Sequence, residues 1–240
     1  IAVVASAAST ATGAYDPLEA VADFCAAEGL WLHVDGAHGG AAALSPKYRH
    51  LVRGIDRADS IVIDAHKMML VPALCTAVLL RRKADSFAAF AQQATYLLSG
   101  EDGAWWDGAV RTLECTKRML GLPLYLALHS HGTERFAAHV TATYDLARRF
   151  AAMIRERGDL ELAVEPDANI VCFRLRPPGS EPGPTLDEVQ AAARARVVAS
   201  GRAYLVKTRL RDGVYLRVTL INPATGERDL LDLLAALRQR

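Results

Sequence analysis

The feature that most constrains this chain is a short apolar run that stops at a carboxylate and then recurs. Residues 30–35 read Leu-Trp-Leu-His-Val-Asp, and residues 60–64 read Ser-Ile-Val-Ile-Asp. A third apolar run, residues 1–6, opens the chain. Brief β-branched runs of this kind predict strands buried on both faces. Between the runs at 1–6 and 30–35, residues 17–28 predict a helix. Asp16 is its expected N-cap, Pro17 its first helical position and Gly29 its stop. A fourth strand is predicted over 73–82. Buried strands separated by helices and loops predict an α/β layer with a mixed, mostly parallel sheet.

The character changes after Lys83. Residues 84–92 predict a short helix, and 95–108, rich in Gly, Asp and aromatics, a long loop. Helices follow over about 109–131 and 133–157. The first should be interrupted near Gly121–Pro123, because proline lacks an N–H donor. Strands at 161–164 and 169–175, a Pro/Gly loop at 177–184, a helix at 185–200, strands at 203–210 and 214–220 and a closing helix predict a small α+β unit. The expected division is 1–132 and 133–240.

Composition narrows the function classes. Of 240 residues, 51% are hydrophobic and 23% charged, and the net charge is +1. That balance gives no electrostatic reason to expect nucleic acid or a membrane surface as partner. No apolar run approaches the roughly 18 residues of a spanning helix. The four cysteines, Cys25, Cys75, Cys115 and Cys172, are widely spaced with no CxxC pair. Reduced core thiols, no metal site and a cytoplasmic location are expected. The chain begins without Met and without a charged segment before its apolar run, which reads as a piece of a longer protein rather than a signal peptide.

Two residues carry the chemistry. Asp35 ends a strand and is followed by Gly-Ala-His-Gly-Gly, small residues that let a flat group or another backbone come close. An acid at the C-terminal edge of a sheet lies where α/β folds place ligands. The plainer alternative is a helix cap or a surface carboxylate. Lys67 lies just past the next strand, so adjacent strands would bring it to the same edge as Asp35. Apolar surroundings would favour its neutral amine, a nucleophile toward an aldehyde. The alternative is a lysine snorkelling from a strand end. His66 either donates to an anion or is a satisfied core histidine. His33, two residues before Asp35 and on its side of the strand, either supports the acid or is core. Asp64 reads as a turn-former. Tyr96, in the predicted loop, is by itself an ordinary loop aromatic, and Trp105 and Trp106 either seal that loop or meet a partner.

Together, HVDGAHGG (33–40) and SIVIDAHKMM (60–69) resemble the pyridoxal-5′-phosphate (PLP)-dependent group II amino acid decarboxylases, relatives of the aromatic amino acid, glutamate, cysteine sulfinate and 2,4-diaminobutyrate enzymes. RTLECTKRML (111–120) and YLRVTLINPATGERDL (215–230) extend the likeness over essentially the whole chain. Two departures are Gly36, where alanine is usual, and Ala73, where a bulky apolar residue is usual. The resemblance implies the C-terminal part of a fold type I, aspartate aminotransferase-like large domain, followed by a small α+β domain. It implies PLP as cofactor, Lys67 as the Schiff-base lysine and Asp35 as partner of the protonated ring nitrogen. It further implies Ala37 against one ring face, Thr10 and His66 near the cofactor, and Tyr96 as the proton donor after carbon dioxide leaves, on a loop reaching the other subunit of a homodimer. A small-molecule amino acid is the implied substrate, with wording closest to the 2,4-diaminobutyrate branch. The aromatic that stacks on the other ring face and the phosphate loop are expected upstream of residue 1, so the 240 residues alone are expected to bind PLP weakly and be inactive. A different PLP reaction on the same scaffold, or a non-catalytic relative, is the alternative.

Overall fold

The computed structural model describes residues 1–90, 108–114, 116–179, 181 and 183–238. Four strands, β1 (Ala2–Ser6), β2 (Trp31–Asp35), β3 (Ser60–Asp64) and β4 (Thr76–Leu80), form one sheet in that order. The first three run parallel, and β4 is antiparallel to β3. Helix α1 (Leu18–Glu28) makes the crossover from β1 to β2. Its Leu18, Ala22 and Cys25, one helical face, pack in a common core with Leu32 and Val34 of β2. Gly29 ends the helix in the left-handed region (φ 62°), its N–H bonded to the Cys25 carbonyl, the stop that glycine is suited to make.

Several boundaries differ from expectation. Asp16 does not cap α1; Pro17 holds the cap position, and the Asp16 carboxylate accepts the Ser6 N–H at 2.7 Å instead. That N–H belongs to the end of β1, so tertiary placement claimed the side chain that the local pattern assigned to the helix. β4 begins at Thr76 rather than at 73. Of the preceding residues, Cys75 is held by the lysine turn, its carbonyl accepting the His66 N–H at 3.3 Å and its N–H donating to His66 Nδ1 at 3.1 Å. The helix expected from 109 starts at Gly121, after a short 3-10 turn at Gly108–Arg111. Pro123 does not interrupt it. It sits in the first turn, where an N–H has no helical acceptor anyway. Helix α2 (Lys83–Ala89) matches its expectation up to Phe90; residues 91 and 92 lie outside the described residues.

Helix α3 (Gly121–Arg155) breaks at Gly132 (φ 68°, ψ 173°). Beyond it, β5 (Leu160–Leu162), β6 (Ile170–Leu175), β7 (Val206–Leu210) and β8 (Gly213–Thr219) form an antiparallel sheet of order β5-β6-β8-β7. Helices α4 (Pro184–Ala199) and α5 (Glu227–Arg238) pack with it and with α3 around Phe150, Ile154, Phe173, Leu216 and Leu234. Each such side chain contributes about 1.5–3 kcal/mol by leaving water. Among the described residues no helix is long and apolar enough to cross a membrane.

One charge lies deep in this second unit. Arg174 of β6 is 2% exposed, bonds the Glu161 carboxylate (3.1 and 2.8 Å) and Asp212 (3.0 Å), and stacks its guanidinium over Tyr215 at 4.4 Å. Removing one member of a buried ionic cluster leaves the others uncompensated. Here Glu161 keeps Arg176 at 2.7 Å and Asp212 is half exposed, which limits the penalty. Arg174→Ala is expected to cost about 3 kcal/mol of unfolding free energy, measured by urea denaturation.

Candidate active site

The parallel register of β2 and β3 sets Asp35 opposite Val62, so both chains leave the sheet at one edge. The pairing continues past the end of β2, since Asp64 N–H, at the last residue of β3, donates to the Ala37 carbonyl at 3.1 Å. The Asp35 carboxylate is exposed; Oδ1 accepts the Ala37 N–H at 3.1 Å, and Oδ2 has no partner among the described residues. The small residues behind Asp35 are required by space. A Cβ on Gly36 would lie 3.0 Å from the Val62 carbonyl, so the alanine usual there would force a shift. A Cβ on Gly39 would fall 2.5 Å from both the Ala7 carbonyl and the Tyr15 hydroxyl. That glycine lets the turn close on the end of β1, with Gly39 N–H bonded to Ala7 O at 3.0 Å.

Lys67 is not enclosed by apolar side chains as expected. It is 39% exposed, and its Nζ pairs with Asp64 Oδ2 at 2.8 Å. The apolar neighbours flank rather than surround it: Met68 and Val71 are buried, but Leu70 is exposed. Asp64 does shape the turn through its carbonyl, and its carboxylate also accepts the Thr76 hydroxyl at 2.6 Å. Burial alone would raise the Asp64 carboxyl pKa; the Lys67 and Thr76 hydrogen bonds outweigh it and hold the group below the usual carboxylate range. His66 sets Nδ1 against the Cys75 backbone (3.1 Å to N, 3.0 Å to O) and Nε2 at 3.7 Å from Asp64. Thr10 is exposed in the turn beyond β1. His33 turns to Ser60 (2.7 Å), which also accepts the Trp31 indole N–H; it does not bond Asp35. Tyr96, Trp105, Trp106 and Cys115 lie outside the described residues.

Three residues at this edge escaped sequence reasoning. His38, one residue past Ala37, is within electrostatic reach of Lys67, Asp64 and Arg217. Asn169, just before β6, is fully buried and bonds His38 at 2.6 Å. Arg217, in the middle of β8, has a buried Nε without a hydrogen-bond partner among the described residues. It lies near Cys172, whose thiol bonds Ala11 in the same turn as Thr10. A charged residue inside the otherwise apolar run Val214–Leu220 was the available signal for Arg217. A buried amide before a strand has no comparable signature.

An α/β sheet with an acid and a lysine at one edge, followed by a second, antiparallel sheet, sets the class. The family model for the pyridoxal-dependent decarboxylase conserved domain matches residues 1–176. The chain belongs to the pyridoxal-dependent decarboxylase family. It is 33% identical to human cysteine sulfinic acid decarboxylase, over 99% of this chain and 50% of the relative. It is 35% identical to L-2,4-diaminobutyrate decarboxylase of Rhizobium meliloti, over 93% and 45%. The crystal structure of mouse CSAD in apo form superposes with a TM-score of 0.89 at 30% identity, covering 99% of this chain and 51% of that one. The chain therefore spans about half the length of the curated relatives it matches. The donor set at the edge fits the family's cofactor: a carboxylate with an oxygen that has no partner among the described residues, and a primary amine, with the small Ala37 beside the acid.

The depressed Asp64 carboxyl has a pH signature. A carboxyl whose folded pKa lies below its unfolded value of about 4 stabilises the fold above that value and loses the contribution as pH falls through the folded value. Asp64→Asn should therefore be less stable than the parent above about pH 5. The gap should close on acidification. Urea denaturation of both proteins across that range measures it.

Proposed function

We propose that this chain carries the cofactor lysine, the ring-pairing acid and the small domain of a PLP-dependent decarboxylase that releases carbon dioxide from an L-amino acid and leaves the corresponding amine. The observation that supports it most is the delivery of Asp35 and Lys67 to one edge by adjacent parallel strands, with their turns joined through Asp64 N–H and Ala37 O. In this reading residues 1–132 belong to the cofactor domain and 133–240 form the small domain. The full-length protein acts as a cytoplasmic homodimer, without nucleic acid or membrane partners.

Lys67 would hold PLP through its amine. Asp35 would accept the hydrogen bond of the protonated ring nitrogen, Ala37 would pack on a ring face, and Thr10 and His66 would lie on the phosphate side. Bound PLP supplies the electron sink for the pair left when the carboxylate departs. The chain's own residues govern the rest. Asp35, with Oδ2 free, holds a proton on the ring nitrogen by a charge-assisted bond. Asp64 gives the free Lys67 amine a fixed resting position. Tyr96 donates its phenolic proton to the substrate α-carbon once water is excluded.

Arg217 fits the substrate's carboxylate. Its half-buried guanidinium has a buried Nε without a partner among the described residues, and a buried donor left unpaired is costly until an acceptor arrives. Burial also pulls the guanidinium pKa below its ordinary value.

A panel of amino acids assayed for carbon dioxide release with the full-length protein tests this reading. Lys67→Ala should abolish turnover, and Tyr96→Phe should divert product from amine toward aldehyde. No release from any substrate, or turnover that survives Lys67→Ala, would refute the assignment. Arg217→Met should lower kcat/KM by roughly tenfold to a hundredfold. Steady-state kinetics on the preferred substrate measure this, with partial recovery expected in Arg217→Lys.

A further inference from the structure

Asn169 is fully buried, and its amide is satisfied in three directions. Nδ2 donates to the Leu220 carbonyl at 3.0 Å and to Met68 Sδ at 3.2 Å, and Oδ1 lies 2.6 Å from His38 Nε2. The Asn169 carbonyl also accepts the Leu220 N–H at 2.9 Å. Leu220 follows β8, Met68 follows Lys67, and His38 follows Ala37. One amide thus touches the end of the small sheet, the lysine turn and the turn beyond Asp35.

The chemistry of these groups fixes a tautomer. A carbonyl only accepts, so the Asn169 NH2 must face Leu220 and its oxygen must face His38. An oxygen opposite Nε2 requires Nε2 to carry the hydrogen. In the neutral ring Nδ1 then keeps its lone pair, and it has no protein hydrogen bond among the described residues. The surroundings keep the ring neutral. Burial lowers the His38 pKa, the Asn169 bond raises it, Lys67 and Arg217 lower it further, and Asp64 opposes them.

We propose that Asn169 and His38 are a positioning pair, through which the small domain holds the Asp35 turn and the lysine turn in register and presents His38 at the site as its Nε2–H tautomer. The proposal rests on the decarboxylase reading for its kinetic consequence, but the tautomer stands independently. Neither residue reacts with substrate; each acts through Asp35, Ala37 and Lys67. His38→Leu deletes the bond to Asn169, whereas His38→Gln places an amide NH2 where Nε2–H stood.

The test uses the full-length protein. Side-chain nitrogen NMR of the cofactor-free form, with His38 assigned by its loss in His38→Gln, should show Nε2 protonated and Nδ1 bare. The ring should be less than half protonated at about pH 6.5, where a free imidazole is half protonated. With PLP bound, His38→Leu should lower kcat/KM roughly tenfold to a hundredfold and move the pH midpoint of the lysine–cofactor absorbance band. His38→Gln should restore most of both. A charged or Nδ1–H His38 in the parent overturns the proposal. So does a His38→Leu variant with parental kcat/KM and midpoint, or a His38→Gln variant as impaired as His38→Leu. Absence of carbon dioxide release in the parent would instead count against the decarboxylase reading, leaving the NMR result to decide the tautomer.

Discussion

The parallel pairing of β2 with β3 is the constraint on which the rest of the site depends. Asp35 stands opposite Val62, and two residues further along each chain Ala37 O meets Asp64 N–H. The ladder therefore runs on past the end of β2 and ties the acid's turn to the last residue of β3, where the lysine's turn begins, before any side chain is involved. That closeness explains the small residues behind Asp35. Gly36 lies against the Val62 carbonyl and Gly39 against Ala7 and Tyr15, so the third turn, beyond β1, is drawn to the same edge. Larger residues there would push the backbones apart and separate the groups that the pairing brings together.

Electrostatics then set the resting state. The lysine is held by an ion pair, with Asp64 shared between its amine and the Thr76 hydroxyl. Apolar burial lies beneath the turn, at Met68, Val71 and Cys75, and anchors the backbone without enclosing the amine. Above the turn stand two further basic groups, His38 and Arg217, contributed by different parts of the chain. Repulsion from Lys67 and Arg217 adds to burial in keeping His38 neutral, so this edge combines a paired lysine, an arginine whose Nε has no partner among the described residues and a neutral imidazole. Such an arrangement suits an anionic ligand.

Much of the fold was legible in the sequence because buried strands leave dense apolar runs. β1, β2, β3 and β6 appear within a residue or two of their expected limits, and Gly29 ends α1 as a glycine past a helix should. Errors arose where a residue had two possible local roles. Asp16 suits a helix cap, yet the end of β1 offered an N–H within 2.7 Å. Residues 73–75 suit a strand, yet His66 of the lysine turn bonds the Cys75 backbone. Pro123 suits a helix interruption, yet it is equally compatible with a first turn. The local pattern is the same in each pair, and packing chose between them.

By itself the sequence determined that Asp35 would end a strand, that Lys67 would lie just past the next, and that small residues would separate them from their neighbours. These are short-range facts, written in runs and turns of a few residues. Only the tertiary structure decided that Asp64 would hold the lysine, that Arg217 would bury its Nε without a partner among the described residues, and that His38 would be bound by an amide 131 residues away. The physical reason is that a side chain's partner and burial depend on which distant segments fold against it. A contact across that separation leaves no periodicity and no motif for a reader of the chain to find.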